Sequence, residues 1–170
     1  MNPFLRPNQL LIAAALACSV GWIQAATISV QPGEDIAAAV AKAAAGDVIE
    51  IARAQYRTNL LIDKPLTLRG IDRPTLSGGE DGDTIRVTSP DVVIEGLIVR
   101  DSGSSLKDQN AGIYIRPGAH RAIVRNCDLT YNLFGLWIEK ADDVLIEGNR
   151  ITGKRDYSSS QRGNGVQLYN

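Results

Sequence analysis

The chain has 170 residues, with 18 basic and 19 acidic side chains and a formal net charge of −1. This length is typical of one domain, and the balanced charge provides no electrostatic attraction to nucleic acid or to an anionic membrane. With 16 glycines and only 5% aromatic residues, the composition favours an all-β chain with many turns.

The first 25 residues have the pattern of an export signal. Arg6 supplies a positive start, Leu10–Cys18 forms a short apolar run, and the stretch ending at Ala25 suits cleavage by a signal peptidase. The run is shorter than the ~20 apolar residues that a transmembrane helix needs. We therefore predict a Sec-type signal peptide over residues 1–25, a periplasmic location and no membrane insertion after cleavage. Cleavage leaves Cys127 as the single thiol, so no intrachain disulfide can form.

Residues 26–47 are expected to form an N-terminal strand and a capping helix. Thr27–Val30 alternates like a strand, and Glu34–Ala45 is rich in alanine, with acidic residues in its first turn. Ile36 and Val40 lie four residues apart, which places them on one helical face. Because the first coil of a solenoid exposes an open sheet edge and an open core, we expect this helix to cover both.

Residues 48–170 carry a repeat of short alternating strands. The run GIYIRPGAHRAIVRNCDL begins at Gly112, and GLWIEKADDVLIEGNRI begins in the same way at Gly135, 23 residues later. A period of this size is typical of a solenoid in which one repeat forms one coil. The coils are expected to align from Thr84 onward, after a polar corner at Arg73–Asp83.

Apolar residues two positions apart in these strands should point inward and stack from coil to coil. The inward positions are Ile85/Val87, Ile113/Ile115, Leu136/Ile138 and Val166/Leu168, then Val92/Ile94, Ala122/Val124 and Val144/Ile146, and finally Val99, Leu129 and Ile151. Gly96, Asn126 and Gly148 occupy equivalent places in three coils. Residues of these types tolerate positive φ, so we expect the chain to bend there.

The residues between the inward pairs should point outward. Arg86, Tyr114, Trp137 and Gln167 would then form one external column. We expect Tyr114 and Trp137 to form an exposed aromatic step of the kind that stacks on sugars or anchors a partner protein. The alternative is that a neighbouring loop covers them.

Two long loops follow the third inward position of their coils. Asp101–Gln109 and Gly153–Arg162 should therefore leave the same corner, while the intervening coil turns in Thr130–Phe134. Insertions gathered on one face of a repeat protein often form its binding face. Together with Tyr114 and Trp137, the predicted partner-binding residues are Asp101, Lys107, Asp108, Asn110, Arg155, Arg162 and Asn164.

Catalytic and metal-binding patterns are weak in this sequence. Copper prefers imidazole, thiolate or thioether ligands, and after signal cleavage the chain has His120, Cys127 and no methionine. Hydrolysis needs two carboxylates on one rigid surface, whereas the acids here fall mostly in corners and loops. Glu80–Asp83 is expected to be a solvated acidic turn, with cation binding as the alternative. We predict no catalytic residue, no metal site and no bound cofactor.

Several segments closely resemble the NosD family of periplasmic maturation proteins for nitrous oxide reductase, from about Ala26 to the last residue. The segments that carry the resemblance are SPDVVIEGLIVRDSG (Ser89–Gly103), NAGIYI (Asn110–Ile115), GAHRAIVRN (Gly118–Asn126), NLFGLWIEKADDVLIEGN (Asn132–Asn149) and RGNGVQLYN (Arg162–Asn170). The resemblance implies a right-handed, single-stranded parallel β-helix of the pectin-lyase-like type. Family members continue for many more coils, so we expect this chain to be incomplete and truncated at its C-terminus within a strand.

The resemblance also implies a function. It implies a non-catalytic factor for assembly of the copper–sulfide centre of nitrous oxide reductase, with that enzyme and an ABC transporter as partners. Copper or sulfur handling follows only from this resemblance. Because β-helices commonly bind or cleave polysaccharides, a polysaccharide-binding protein, lyase or hydrolase is the alternative.

Overall fold

The computed structural model describes residues 25–170 of the chain. The signal peptide predicted for residues 1–25 therefore lies outside the described residues, except for its last position. The helix α1 spans Ile36–Lys42. The strands are β1 (Thr27–Val30), β2 (Val48–Ile51), β3 (Gln55–Arg57), β4 (Leu60–Ile62), β5 (Thr67–Gly70), β6 (Thr75–Ser77), β7 (Ile85–Val87), β8 (Val93–Glu95), β9 (Ile98–Arg100), β10 (Ala111–Ile115), β11 (Ile123–Arg125), β12 (Asp128–Asn132), β13 (Phe134–Glu139), β14 (Leu145–Glu147), β15 (Arg150–Gly153) and β16 (Val166–Tyr169).

The strands form three parallel sheets that wrap around one core. Sheet A has the order β1-β2-β5-β8-β11-β14, sheet B the order β3-β6-β9-β12-β15, and sheet C the order β4-β7-β10-β13-β16. Three consecutive strands thus visit sheets A, B and C in turn and complete one coil. This is the solenoid that the repeat predicted, and it is the parallel β-helix that the family resemblance implied.

The predicted inward columns are confirmed. In sheet C, Ile85 pairs with Ile113 and Ile113 with Leu136, while Ile115 pairs with Ile138. All five side chains are at most 5% exposed. Burial of each such side chain contributes about 1.5–3 kcal/mol, so the stacked columns are the main source of stability. In the last described coil the column continues with Leu168, which is 66% exposed.

The regular coils begin earlier than the sequence predicted. The segment Arg73–Asp83, expected to be a polar corner, contains strand β6, and its Leu76 is fully buried. Strand β3 precedes it in the same sheet, with Tyr56 paired to Leu76. Each of these strands has three residues with one inward side chain, which is too short for alternation to be visible in the sequence.

The predicted bends are also confirmed. Gly96, Asn126 and Gly148 have φ values of 71°, 54° and 62°. The backbone N–H of Gly96 donates to the carbonyl of Arg125 in the next coil at 3.2 Å, and that of Asn126 donates to Glu147 at 3.0 Å. The bend is therefore part of the hydrogen-bonded stack.

The capping helix is shorter than predicted. It begins at Ile36 instead of Glu34 because the Asp35 side chain accepts the N–H of Ala37 at 2.8 Å and acts as the N-cap. It ends at Lys42 instead of Ala45, because Ala43 has an extended backbone with ψ of 143°. Ile36 and Val40 are 2% and 4% exposed and join the core, as the sequence predicted. No helix among residues 25–170 is long and apolar enough to cross a membrane.

Cys127 lies inside the core and is 1% exposed. Burial raises the pKa of its thiol to about 11. Its backbone N–H donates to Oδ1 of Asn149 in the next coil at 2.8 Å, and Nδ2 of Asn149 donates to the carbonyl of Val124 at 2.7 Å. The cysteine therefore packs as a small buried residue beside an asparagine that joins two coils.

Candidate functional site

The two long loops leave one corner of the β-helix, between sheets B and C. The first loop, residues 101–110, joins β9 to β10, and the second loop, residues 154–165, joins β15 to β16. In the coil between them, only Leu133 separates β12 from β13. Because β9, β12 and β15 are neighbours in sheet B, the loops project from the same side with one tight corner between them.

A buried asparagine holds the start of the first loop against this tight corner. Asn132 is fully buried, and its Oδ1 accepts the N–H of Ser102 at 3.1 Å. Its Nδ2 donates to the carbonyl of Val99 at 2.9 Å. The Ser102 hydroxyl in turn accepts the N–H of Leu133 at 2.9 Å. These bonds satisfy backbone groups that no water can reach and fix where the loop begins.

Lys154 connects the second loop to the first. Its side chain is 1% exposed, and its Nζ donates to Oγ of Ser104 at 2.9 Å. Nζ also lies 5.1 Å from the ring centre of Tyr131 and 5.3 Å from that of Tyr157. Among the described residues, no carboxylate forms an ion pair with it. The ammonium is therefore held by one hydroxyl and two aromatic faces, which attract cations through their quadrupoles.

Two further hydrogen bonds join the loops and the corner. The hydroxyls of Ser104 and Tyr157 are 2.8 Å apart, and the Tyr131 hydroxyl donates to Oδ2 of Asp156 at 2.7 Å. The bond to Asp156 raises the pKa of Tyr131 to about 12, because it favours the protonated phenol. Residues from three successive coils thus form a single connected surface.

This surface contains an open depression of about 580 Å³. We call it the loop depression, and it is lined by Ser104, Leu106, Asp156, Tyr157 and Gln161. Leu106 is 46% exposed and presents an apolar side chain among polar ones. The arrangement suits the binding of a partner that has both apolar and polar groups.

The predicted loop residues divide into exposed and internally bonded ones. Lys107, Arg155 and Arg162 are exposed. Each is next in sequence to a residue that lines the loop depression, so the backbone of each lies at its edge. Asp108 is exposed, but its Oδ2 accepts the Ser105 hydroxyl at 2.7 Å, which closes a turn within the first loop.

The remaining predicted loop residues shape the backbone around the depression. Asn110 is 7% exposed, and its Oδ1 accepts the N–H of Ser105 at 3.0 Å, so it closes the first loop. Asp101 accepts the hydroxyl of Ser77 at 2.7 Å and forms an ion pair with Arg100. Asn164 is exposed and donates to Gln167 at 2.6 Å. Their contacts hold the loops in place.

The sequence correctly predicted an external column with Tyr114 and Trp137, but the predicted exposure of these two side chains is wrong. Tyr114 does pair with Arg86 and with Trp137, so the predicted external column exists. However, Tyr114 is 1% exposed and Trp137 is 9% exposed. The alternative of a covered pair is correct, because Leu133 and Phe134 of the tight corner pack with them in a second hydrophobic cluster on the outer face.

A polar network further covers Tyr114. Its hydroxyl donates to Glu139 and accepts from Arg116 at 2.9 Å, and the Arg116 guanidinium carbon lies 4.9 Å from the ring centre. Burial, followed by the bond to Glu139, raises the pKa of Tyr114 to about 12. Because the network occupies both the ring and the hydroxyl, this tyrosine is not an open stacking surface.

The acidic turn before β7 is tied into the fold. Asp83 is 5% exposed, accepts the N–H of Ala111 at 2.9 Å and pairs with Arg86 at 2.6 Å. Burial raises the pKa of Asp83, although Ala111 and Arg86 act in the opposite direction. The prediction of a solvated turn is therefore wrong for Asp83, which closes the corner before sheet C.

The two side chains considered as copper ligands have structural contacts. Nδ1 of His120 accepts the N–H of Asp142 at 3.0 Å at an exposed corner, whereas Cys127 lies in the core. Within residues 25–170, no three His, Cys, Asp or Glu side chains are grouped closely enough to hold a metal ion. These contacts do not fit a copper site at His120 and Cys127.

Several residues of the site were missed by the sequence analysis. Lys154, Tyr131 and Tyr157 lie in or beside the predicted loops, but no local pattern indicates that they meet. Ser104 and Lys154 are 50 positions apart in the chain. The short corner between two long loops was the available signal, since it predicts that side chains near Tyr131 lie between them.

The fold and this surface define the class of protein. Residues 71–170 match the family described as the right-handed beta helix region, and the chain belongs to this family. The chain is also similar to two curated relatives, which gives a more specific comparison than the family model does. Both relatives are called "Probable ABC transporter binding protein NosD". The chain is 35% identical over 119 residues to the protein from Pseudomonas aeruginosa and 30% identical over 115 residues to that from Stutzerimonas stutzeri.

These alignments cover most of this chain but a small part of each relative. They span 70% and 68% of this chain, and 28% and 26% of the Pseudomonas aeruginosa and Stutzerimonas stutzeri proteins. No solved structure matches the chain significantly. The chain is thus NosD-like, and the resemblance found in the sequence is confirmed.

Proposed function

We propose that this chain belongs to a periplasmic accessory protein that acts with an ABC transporter in the maturation of nitrous oxide reductase. The observation that carries the proposal is the loop surface, in which two insertions from separate coils are joined through Lys154 into one exposed face. The relatives from both organisms are called binding proteins of an ABC transporter, which supports a partner-binding role. In this role the β-helix is a rigid support, and the loops contact the partner.

The physical basis is the contrast between the coils and the loops. Many side chains in the coils are occupied by the core columns or by ion pairs such as Arg125 with Glu95 at 2.6 Å. On the loops, Leu106, Lys107, Arg155 and Arg162 are exposed. Binding residues on loops that a rigid scaffold positions are a common arrangement in repeat proteins.

The proposal is tested by complementation. A strain lacking the gene receives the full-length protein, or variants in which residues 104–109 or 155–162 are replaced by a short Gly-Asn corner, so that the buried Ser102 and Lys154 remain. We expect both variants to accumulate at the normal level, to lose association with the transporter and to lower nitrous oxide reduction. A variant with Lys42→Ala, on the exposed side of the capping helix, is the matched control. Normal reductase activity in both loop variants would refute the proposal.

A further inference from the structure

Within the part of the chain that the structure describes, the cationic side chains at the edge of the loop depression form no ion pairs, whereas most arginines of the coils do. Among the described residues, the arginines in ion pairs are Arg69, Arg86, Arg100, Arg116, Arg121, Arg125 and Arg150. Lys107, Arg155 and Arg162 form no ion pair within residues 25–170, and all three are exposed. Three exposed cations without acidic partners in the described chain therefore flank, in sequence, the residues that line one depression.

The carboxylates near these cations accept hydrogen bonds from hydroxyl groups within the loops and the corner. Asp108 accepts the Ser105 hydroxyl, and Asp156 accepts the Tyr131 hydroxyl at 2.7 Å. Buried Lys154 adds a further positive charge beneath the depression. Asp108 and Asp156 keep their negative charges, but Lys107, Arg155, Arg162 and Lys154 outnumber them, so the loops offer guanidinium and ammonium groups to a ligand although the chain as a whole has a formal charge of −1.

The depression also has an apolar contact point. Leu106 is 46% exposed and lies next to Lys107, so one ligand can contact both an apolar and a cationic side chain. From this combination we propose that the loop depression binds an acidic peptide segment that carries an apolar side chain. The inference rests on the proposed function and specifies the chemistry of the partner.

A peptide fits these observations better than an anionic polysaccharide does. Sugars bind largely by stacking on flat aromatic faces. At this site the Lys154 ammonium lies over the rings of Tyr131 and Tyr157, and on the neighbouring outer face Tyr114 and Trp137 are buried. Leu106, in contrast, suits an aliphatic or aromatic side chain of a peptide.

The test is a binding titration with the full-length mature protein. The probe is a short fluorescein-labelled peptide in which glutamates flank a single leucine, and binding is followed by fluorescence anisotropy. Reversing the rim charges with Lys107→Glu, Arg155→Glu and Arg162→Glu together should raise the Kd about tenfold or more. The matched control reverses three exposed cations elsewhere, with Lys42→Glu, Arg53→Glu and Lys140→Glu, and should leave the Kd within about twofold.

A second pair of measurements tests the apolar contact. Leu106→Ser should raise the Kd about fivefold, and replacing the leucine of the peptide by serine should have a similar effect. Equal binding of a peptide with lysines in place of glutamates would overturn the proposal. A second result would also overturn the proposal: polygalacturonate competes with the peptide, and its binding is unaffected by Leu106→Ser. That result would identify an anionic glycan site.

This titration contains neither the reductase nor the transporter. If the acidic peptide does not bind but complementation still needs the loops, the peptide chemistry is wrong and the proposed function stands. If the peptide binds as expected but complementation does not need the loops, the binding site stands and the proposed function is wrong.

Discussion

Replacing Asn132 by alanine removes two hydrogen bonds that lie out of reach of water. The N–H of Ser102 and the carbonyl of Val99 lose their side-chain partner, and both residues are fully buried. Leaving a buried polar group unsatisfied costs about 1–3 kcal/mol, so Asn132→Ala should lower the free energy of unfolding by about 2–6 kcal/mol. The corner that supports both loops should be the first part of the stack to loosen.

The assay is urea unfolding followed by circular dichroism, with Asn149→Ala as the matched control. Asn149 makes the same two types of bond, to the N–H of Cys127 and the carbonyl of Val124, but it is partly exposed. Cys127 and Val124 are themselves buried, but water can fill the space that the partly exposed Asn149 side chain leaves and can replace its bonds. This variant should therefore lose only about 1 kcal/mol. An equal loss in both variants, or a loss below about 1 kcal/mol for Asn132→Ala, would refute the argument from burial.

Three further predictions test the core, the thiol and the loop contact. Gly135→Ala should destabilise the protein by about 1–3 kcal/mol in urea unfolding, because the new Cβ would overlap the Gly165 carbonyl and the Ile151 side chain; a neutral result contradicts this packing. With its pKa raised to about 11, Cys127 should have a thiolate fraction at pH 8 on the order of a hundredfold below that of a free thiol, so a thiol reagent should modify it rapidly only after unfolding. Lys154→Ala should raise amide hydrogen exchange in the first loop about tenfold, while Lys140→Ala, an exposed change, should not; equal protection in both variants argues against a connection through Lys154.

The sequence predicted the core well because the β-helix repeats a short code. One or two inward residues per strand recur at equivalent positions of successive coils, and each column, such as Ile85, Ile113 and Leu136, consists of aliphatic side chains. The bends at Gly96, Asn126 and Gly148 follow from backbone chemistry that only a few residue types allow. The early coils were missed because strands β3 and β6 are too short to show a period.

The candidate site was predicted only in outline. The position of the loops follows from the repeat, but the accessibility of Tyr114 and Trp137 depends on which residues pack over them. Leu133 and Phe134 pack with that pair in one buried cluster beside the tight corner. Alternation along a strand specifies only whether a side chain points inward or outward.

The sequence by itself determined the coil, its inward columns and the corner from which the loops leave, because all of these arise from local periodicity. Only the tertiary structure decided which side chains remain available for binding. It buries the Tyr114 and Trp137 pair, and it brings Lys154 to Ser104 across one intervening coil. The physical reason is that exposure and loop contacts depend on packing between residues far apart in the chain, which a repeat pattern does not encode.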